Sequence, residues 1–293
     1  MTNLYREKNF QQTINEPVEY LGVALHGGEE IKIRLLPGEV DSGIVFRRVD
    51  LPGSPEVKSV TGQVVSTKRC TSIGANNESV VHTVEHIMAA CWAMKVDNLV
   101  IEIDGPETPV GDGSSYPFIE LLQKAGKNTQ KVKRRIWTVE NPVWVRRGKM
   151  YMTVLPYDGF KVSYTLDYDH PVIGTQFFEF DSQTDSFIDE IARARTFGFE
   201  KEVEALHKRG LALGGSLENA VLIGEKETVN SLRFPNEFVR HKVLDVIGDM
   251  ALNGFIKGHI ITVRSGHSLH VELAREICKK LKEQESELDD RDT

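Results

Sequence analysis

The 293-residue sequence holds only three cysteines, Cys70, Cys91 and Cys278, widely spaced and without a C-x-x-C pair. An odd number in that arrangement excludes a disulfide framework and a sulfur-ligated zinc site, and it suits a reducing cytoplasm. No apolar run approaches the roughly 18 residues that a membrane span requires, and the opening MTNLYREKNFQQT lacks the apolar core of a signal peptide. The chain is therefore expected to be neither anchored by a helix nor exported by the usual signal. Positive charge is also in short supply. A net charge of −7 and a pI near 5.8 argue against a general nucleic-acid binder, leaving room only for a local basic pocket for a phosphorylated small molecule. What is present, 40% hydrophobic and 27% charged residues over this length, is globular material with enough apolar mass for a large core, more naturally two domains than one.

As far as about residue 70 the chain alternates apolar and polar residues in short runs such as EEIKIRLLP and SGIVFRRVDL, broken by Gly and Pro, which reads as strands and turns. From Ser79 the period changes. Val80, Val81, Val84, Ile87, Met88 and Cys91 fall on one stripe at about 100° per residue, predicting an amphipathic helix. NLVIEID then reads as a strand, and SSYPFIELLQKAG as a helix closed by Gly126. The polar, basic KAGKNTQKVKRR has no hydrophobic period and is taken as the domain boundary. Beyond it come strand-like runs, the Gly-rich RGLALGGSLENAVLIG, a helix over NEFVRHKVLDVIGDMAL, the strand GHIITVRSG and a last helix.

Both halves thus run as several strands, a helix, a strand and a second helix, a weak duplication of elements rather than letters. The expected fold class is α+β, with two similar domains over residues 1–126 and 127–283. Each is a β-sheet with two helices, the helical layers packed face to face as a β-α-α-β sandwich, and the acidic stretch 284–293 is a disordered tail.

Two places carry metal-type chemistry. VVHTVEHIMAA, residues 80–90, places His82, Glu85 and His86 within five positions, and could be read as H-x-x-E-H with two histidine ligands on one helix. RHKVLDVIGD places His241 and Asp245 four apart on one helical face, opposite Val239, Val243, Ile247 and Met250. Catalytic zinc commonly takes three nitrogen or oxygen ligands and keeps a fourth position open, so His86, His241 and Asp245 from two facing helices form such a set. Ala89, Ala93 and Gly248 leave room for the helices to approach. Glu85 would act as general base on a metal-activated water. Each feature has a plainer reading: a surface histidine is most often only that, and an i, i+4 His/Asp pair only steadies its helix.

TVEHIMAA, DGSSYPF, RARTFGF, RGLALGGSLENAV, EFVRHKVLDVIGD and SGHSLHVEL, in that order, resemble the motifs of the UDP-3-O-acyl-N-acetylglucosamine deacetylases, zinc amidases of lipid A synthesis in Gram-negative bacteria. The resemblance runs from GVALHGG to the last helix. It implies His86, His241 and Asp245 as zinc ligands and Glu85 as base. It implies His267 as the cationic acid that protonates the leaving amine, Asp249 as its orienting carboxylate, and Thr196 as the group that steadies the oxyanion. It further places Lys242 near the nucleotide phosphates, Phe197 and Tyr168 around uridine and sugar, and Lys149 as a weaker substrate contact. Residues 197–220, with Leu211 and Gly215, would form an apolar passage for the acyl chain, although LAL at 211–213 also reads as an inner strand. The sequence departs from the family pattern at Ala24, Gly28 and His270. On spacing alone His267 or His270 could be the acid, and the motif match selects His267.

The implied enzyme is a cytoplasmic metal-dependent deacetylase with one zinc per chain, iron(II) being the alternative metal. Its partner is the acylated UDP-sugar, and it is expected to be a monomer with no nucleic-acid partner and no integral membrane segment. Two rivals remain at this level. A protease using His82 and His86 would leave His241, Asp245 and SGH idle. A metal-stabilised binder of nucleotide sugar would have no use for a carboxylate beside a ligand histidine.

Overall fold

The computed structural model describes residues 10–76 and 78–289, with side chains to residue 280. The first half contains β1 (Phe10–Ile14), β2 (Val18–Val23), β3 (Glu30–Pro37), β4 (Ile44–Arg48), β5 (Glu56–Lys58), β6 (Val64–Ser66), β7 (Ser72–Gly74), β8 (Val80–Val81), α1 (Glu85–Ala93), β9 (Leu99–Ile103) and α2 (Tyr116–Ala125). After β10 (Lys127–Lys133) and β11 (Ile136–Thr138) come β12 (Val143–Arg147), β13 (Met150–Leu155), β14 (Phe160–Asp167), β15 (Thr175–Asp181), α3 (Phe187–Glu190), β16 (Phe197–Phe199), α4 (Glu200–His207) and β17 (Val221–Ile223). The chain then runs through α5 (Glu237–Met250), β18 (Phe255–Val263) and α6 (His267–Asp289).

The duplication is explicit in the sheets. The first has the order β2-β3-β9-β4-β5, with β9 antiparallel to β3 and parallel to β4. The second has the order β12-β13-β18-β14-β15, with β18 antiparallel to β13 and parallel to β14, and β11 added to the start of β18. In each half the last strand enters the middle of the sheet after a helix has crossed it, as a parallel connection requires. Helix α1 therefore corresponds to α5, and α2 to α6.

The helices lie between the sheets. Helix α1 packs against α5, α2 lies against α1 and β2, α5 covers β14 and β15, and α6 covers β12 and β13. The α1–α5 approach is close enough that a Cβ on Gly248 would come within 2.1 Å of the Glu85 carbonyl oxygen, so only glycine fits there. Sandwiching also explains a departure from the expected pattern. Helix α1 is buried from Glu85 to Trp92, not on one stripe, because both of its faces meet protein.

Two expectations are corrected and one segment gains structure. The helix begins at Glu85 rather than Ser79: Val80 and Val81 form strand β8, and Thr83 has φ 59°, which no helix continues through. KNTQKVK, taken as the domain boundary, forms strand β10, paired antiparallel with β1; nearly all its side chains face outward, so it shows no apolar period. The last helix continues to Asp289 instead of stopping before a disordered tail at 284, and only 290–293 of that tail lie outside the described residues.

Candidate metal centre and active site

Four segments meet where α1 crosses α5. The first turn of α1 supplies Glu85 and His86. Successive turns of α5 supply His241, Asp245 and Asp249, the start of α6 supplies His267, and the loop before β7 supplies Thr71. All seven are buried. Together with Thr196, Lys242, His26 and Arg69, most of them line one small cavity.

His241 Nε2 lies 3.4 Å and His86 Nε2 4.0 Å from Asp245 Oδ1, and the two imidazoles stand edge to face with centroids 5.2 Å apart. His241 Nδ1 donates to the Ala194 carbonyl at 3.1 Å, which leaves a lone pair on Nε2. Burial lowers the pKa of both histidines, that of His86 to about 3, with the neighbouring His241 adding to the effect there. Neutral imidazoles are the form that binds a cation. Asp245 is held well below the usual carboxylate range: burial opposes its charge, but Lys242, His241 and His267 outweigh it. Its Oδ1 is nevertheless buried without a hydrogen-bond partner, as is His86 Nδ1. A buried carboxylate oxygen facing two neutral imidazole nitrogens is costly unless a cation sits among them, so these three residues fit a metal ion. Asp249, His267 and His270 also cluster, but they satisfy one another.

Beside these three residues stand a carboxylate and an imidazole. Glu85 Oε1 is 3.7 Å from His267 Nε2, while Glu85 Oε2 accepts from the Thr71 amide at 3.0 Å. Burial pushes Glu85 up to about 8; His267 opposes this, while Asp249 and Asp245 reinforce it. Burial acts against charge on His267, yet Asp249 and Glu85 hold it at about 9. His267 Nδ1 donates to Asp249 Oδ2 at 2.9 Å, so its Nε2–H is turned towards Glu85. His270 Nδ1 shares the same oxygen at 2.8 Å, is driven down by burial and does not line the cavity.

The chain matches the UDP-3-O-acyl N-acetylglycosamine deacetylase family model over residues 11–279. It belongs to that family. Among its curated relatives are UDP-3-O-acyl-N-acetylglucosamine deacetylases of Citrifermentans bemidjiense, 42% identical over 92% of this chain and 90% of the relative, and of Brucella melitensis, 44% identical over 91% and 94%. Deacetylases of this family are hydrolytic and metal-dependent, in keeping with the donor set above.

For this deacetylase chain the remaining expected residues divide. Thr196 lines the cavity and is fixed on both sides, its amide donating to Gly113 and its carbonyl accepting from Val221. Arg195, next to it, makes a buried ion pair with Glu237 at the start of α5. The RART segment thus anchors both His241 and Thr196. Lys242 Nζ contacts Asp245 Oδ2 at 2.8 Å and lies 5.4 Å from the Phe197 ring centre, and Tyr168 meets that ring edge-on at 6.4 Å. Lys149 is not brought into this group. It sits in the β12–β13 turn, against a separate concavity with Trp144, Arg146 and Tyr151. Leu211 and Gly215 do not line the cavity either. LAL at 211–213 is a loop rather than an inner strand, and Leu213 is 51% exposed. That loop lands on the first half: a Cβ on Gly28 would meet Leu213, and one on Gly214 would meet the Ala24 carbonyl. Both departures from the family's GVALHGG pattern therefore lie under the insert.

His82 is not on the helix at all. It follows β8, is bridged to Glu107, and its Nδ1 pairs with Ser72 Oγ at 2.8 Å, so H-x-x-E-H is not a pair of ligands on one helix. Two residues escaped sequence reasoning. Thr71 ties Glu85 to Asp249, through its amide to the Glu85 carboxylate and its hydroxyl to Asp249 Oδ1 at 2.5 Å. Glu107, buried, accepts from the amides of His26 and Gly27 and from the Thr83 hydroxyl, holding the strained turn before α1. No spacing flags a lone threonine or a loop glutamate.

Proposed function

We propose that the chain is a cytoplasmic zinc amidase that removes the acetyl group from UDP-3-O-acyl-N-acetylglucosamine in lipid A synthesis. Two similar α+β units, 1–126 and 127–283, each contribute part of one site, and the enzyme works as a monomer. The observation that carries the reading is the convergence of His86, His241 and Asp245 around an unpartnered buried oxygen, with Glu85 and His267 beside it. Free Cys70, Cys91 and Cys278 suit the reducing compartment.

Zinc held by those three residues supplies Lewis acidity that polarises the acetamide carbonyl and acidifies water. Glu85, anchored through Oε2, takes the proton from the attacking water with Oε1. Thr196 is placed to support the oxyanion that develops on the carbonyl oxygen, and cationic His267 adds charge stabilisation. As the C–N bond breaks, His267 gives its Nε2 proton to the departing amine, and Asp249 compensates the charge while it is held. Lys242, Phe197 and Tyr168 form the flank on which the UDP-sugar lies, with the 197–220 insert, including Leu211 and Gly215, and the more distant Lys149 as outer substrate contacts.

The proposal is tested by acetate release from the acylated UDP-sugar before and after chelation and on restoring zinc or iron(II). Loss on chelation and recovery with metal is expected; unchanged release after metal analysis shows an empty protein would sink it. The rate should rise as Glu85 deprotonates and fall above about pH 9 as His267 loses its proton. In Asp249→Asn the falling limb should move to lower pH, because the carboxylate that raises His267 is gone.

A further inference from the structure

Towards the C-terminal ends of α1 and α5, away from the Glu85–His267 cavity, a groove of about 890 Å³ opens between the halves, within the range of ligand pockets. Its floor is Met88, Trp92 and Val96 from the first half and Leu252 and Phe255 from the second. The rim is cationic in effect. Asp97 is engaged by Arg134 at 2.6 Å and Asp41 by Gln11 at 2.6 Å. Lys58 and Lys279 are exposed and have no carboxylate partner among the described residues, and Arg275 donates only to the carbonyls of Thr61 and Val64. In the wall, Ser59 is 6% exposed, and its hydroxyl has no hydrogen-bond partner.

We propose that this groove is a second ligand site, for a single-chain acyl anion whose tail covers the apolar floor and whose anionic head lies among Lys58, Arg275 and Lys279. Charge complementarity selects the head, and the Ser59 hydroxyl offers it a donor. The aromatic rings select the tail. Trp92 carries Phe160 and the Lys95 ammonium, Phe255 carries the Arg134 guanidinium at 4.3 Å, and Trp137 carries that of Arg135 at 3.7 Å. A planar base would have to displace these cations to stack, whereas an alkyl chain needs only aliphatic surface and ring edges.

The test uses the metal-loaded full chain and a twelve-carbon fatty acid with a terminal diazirine, photolysed and mapped by peptide mass. Labels are expected within residues 88–96 and 251–255, where the tail lies, displaced by laurate but not by dodecyl maltoside. They should be at least roughly tenfold weaker in the doubly substituted Lys58→Glu, Lys279→Glu chain, whose exposed positions leave the melting temperature unchanged. Labelling confined to residues 197–220 would show the acyl passage only and overturn the proposal. So would equal displacement by the neutral detergent, or full labelling of the charge-reversed chain with Lys58→Ala, Lys279→Ala behaving alike.

Discussion

The first and second halves have the same strand order and the same helix placement, yet equivalent positions carry different chemistry. On the outer face of the first sheet, one cross-strand row reads Glu19, Arg34, Glu102, Arg47, Glu56, an alternation of charge joined by ion pairs. On the second sheet one such row reads Arg146, Tyr151, Val263, Thr165, Phe177 and carries no ion pair between its members. Inside, α1 presents Glu85 and His86, whereas α5 presents His241, Asp245 and Asp249, and α6 opens with His267 where α2 opens after Ser114 and Ser115. Ser114 is spent on a local bond to Asp112, and Ser115 donates across to the Ala192 carbonyl of the second half. Backbone topology is thus set by the alternation of buried positions, which both halves keep, while polar content at the seam is free to diverge.

If that division is right, the halves should fail differently. Replacing Glu85 with Gln should cost roughly 10²–10⁴-fold in kcat with bound metal retained, whereas His241→Ala should lose metal as well; elemental analysis beside turnover separates the two. A Glu85→Gln chain that also loses its metal would blur the comparison. The next effect belongs to the second half alone. Arg195→Ala leaves Glu237 buried without its partner and should lower stability by about 3–5 kcal/mol in denaturant titration. Burial opposes the charge on Glu237, but Arg195 and the amides of Arg195 and Arg233 bring its pKa below the ordinary 4.5. The native pair therefore stabilises above pH 4.5 and loses that contribution as pH falls through the lowered value, a dependence that melting curves should show and Arg195→Ala should lack.

At the seam, Gly248→Ala drives a methyl into the Glu85 backbone and should cost about 1–3 kcal/mol, with a measurable fall in kcat because Glu85 itself is displaced. An unchanged melting temperature would mean that the halves can part slightly at no cost. The smallest effect is expected on the outer face. Arg34→Ala interrupts the charged row but touches only exposed or half-exposed partners, so it should change stability by less than about 1 kcal/mol, and less still at high salt.

Much of this architecture could be read from the sequence because it rests on burial periods. The strand runs, α5, β18 and the matching order of the halves all follow from apolar spacing. The nearness of His241 to Asp245 was legible too, since i, i+4 spacing fixes one against the other whatever surrounds them. What was not legible depends on contacts between distant segments. Strand β10 has outward polar side chains and exists through its pairing with β1. Thr83, at φ 59°, is strained by about 1–3 kcal/mol and survives because Glu107 and Thr108 grip it, so the helix starts at Glu85 and not at Ser79, where its periodicity begins. Thr71 acts through a backbone amide, a group every residue has, and nothing in its identity announces the role.

The insert between β16 and β17 shows a different kind of ownership. It is encoded in the second half, but its backbone leans on the first: Leu213 and Gly214 donate to the carbonyls of His26 and Leu25, and Gly113 fits so tightly under Asn219 that a Cβ would sit 1.8 Å from the carbonyl oxygen. The second half folded alone would carry a hydrophobic loop with nothing to rest on. Its landing ground is the neighbour's surface and not its own, so the loop takes its shape only where the two halves are together.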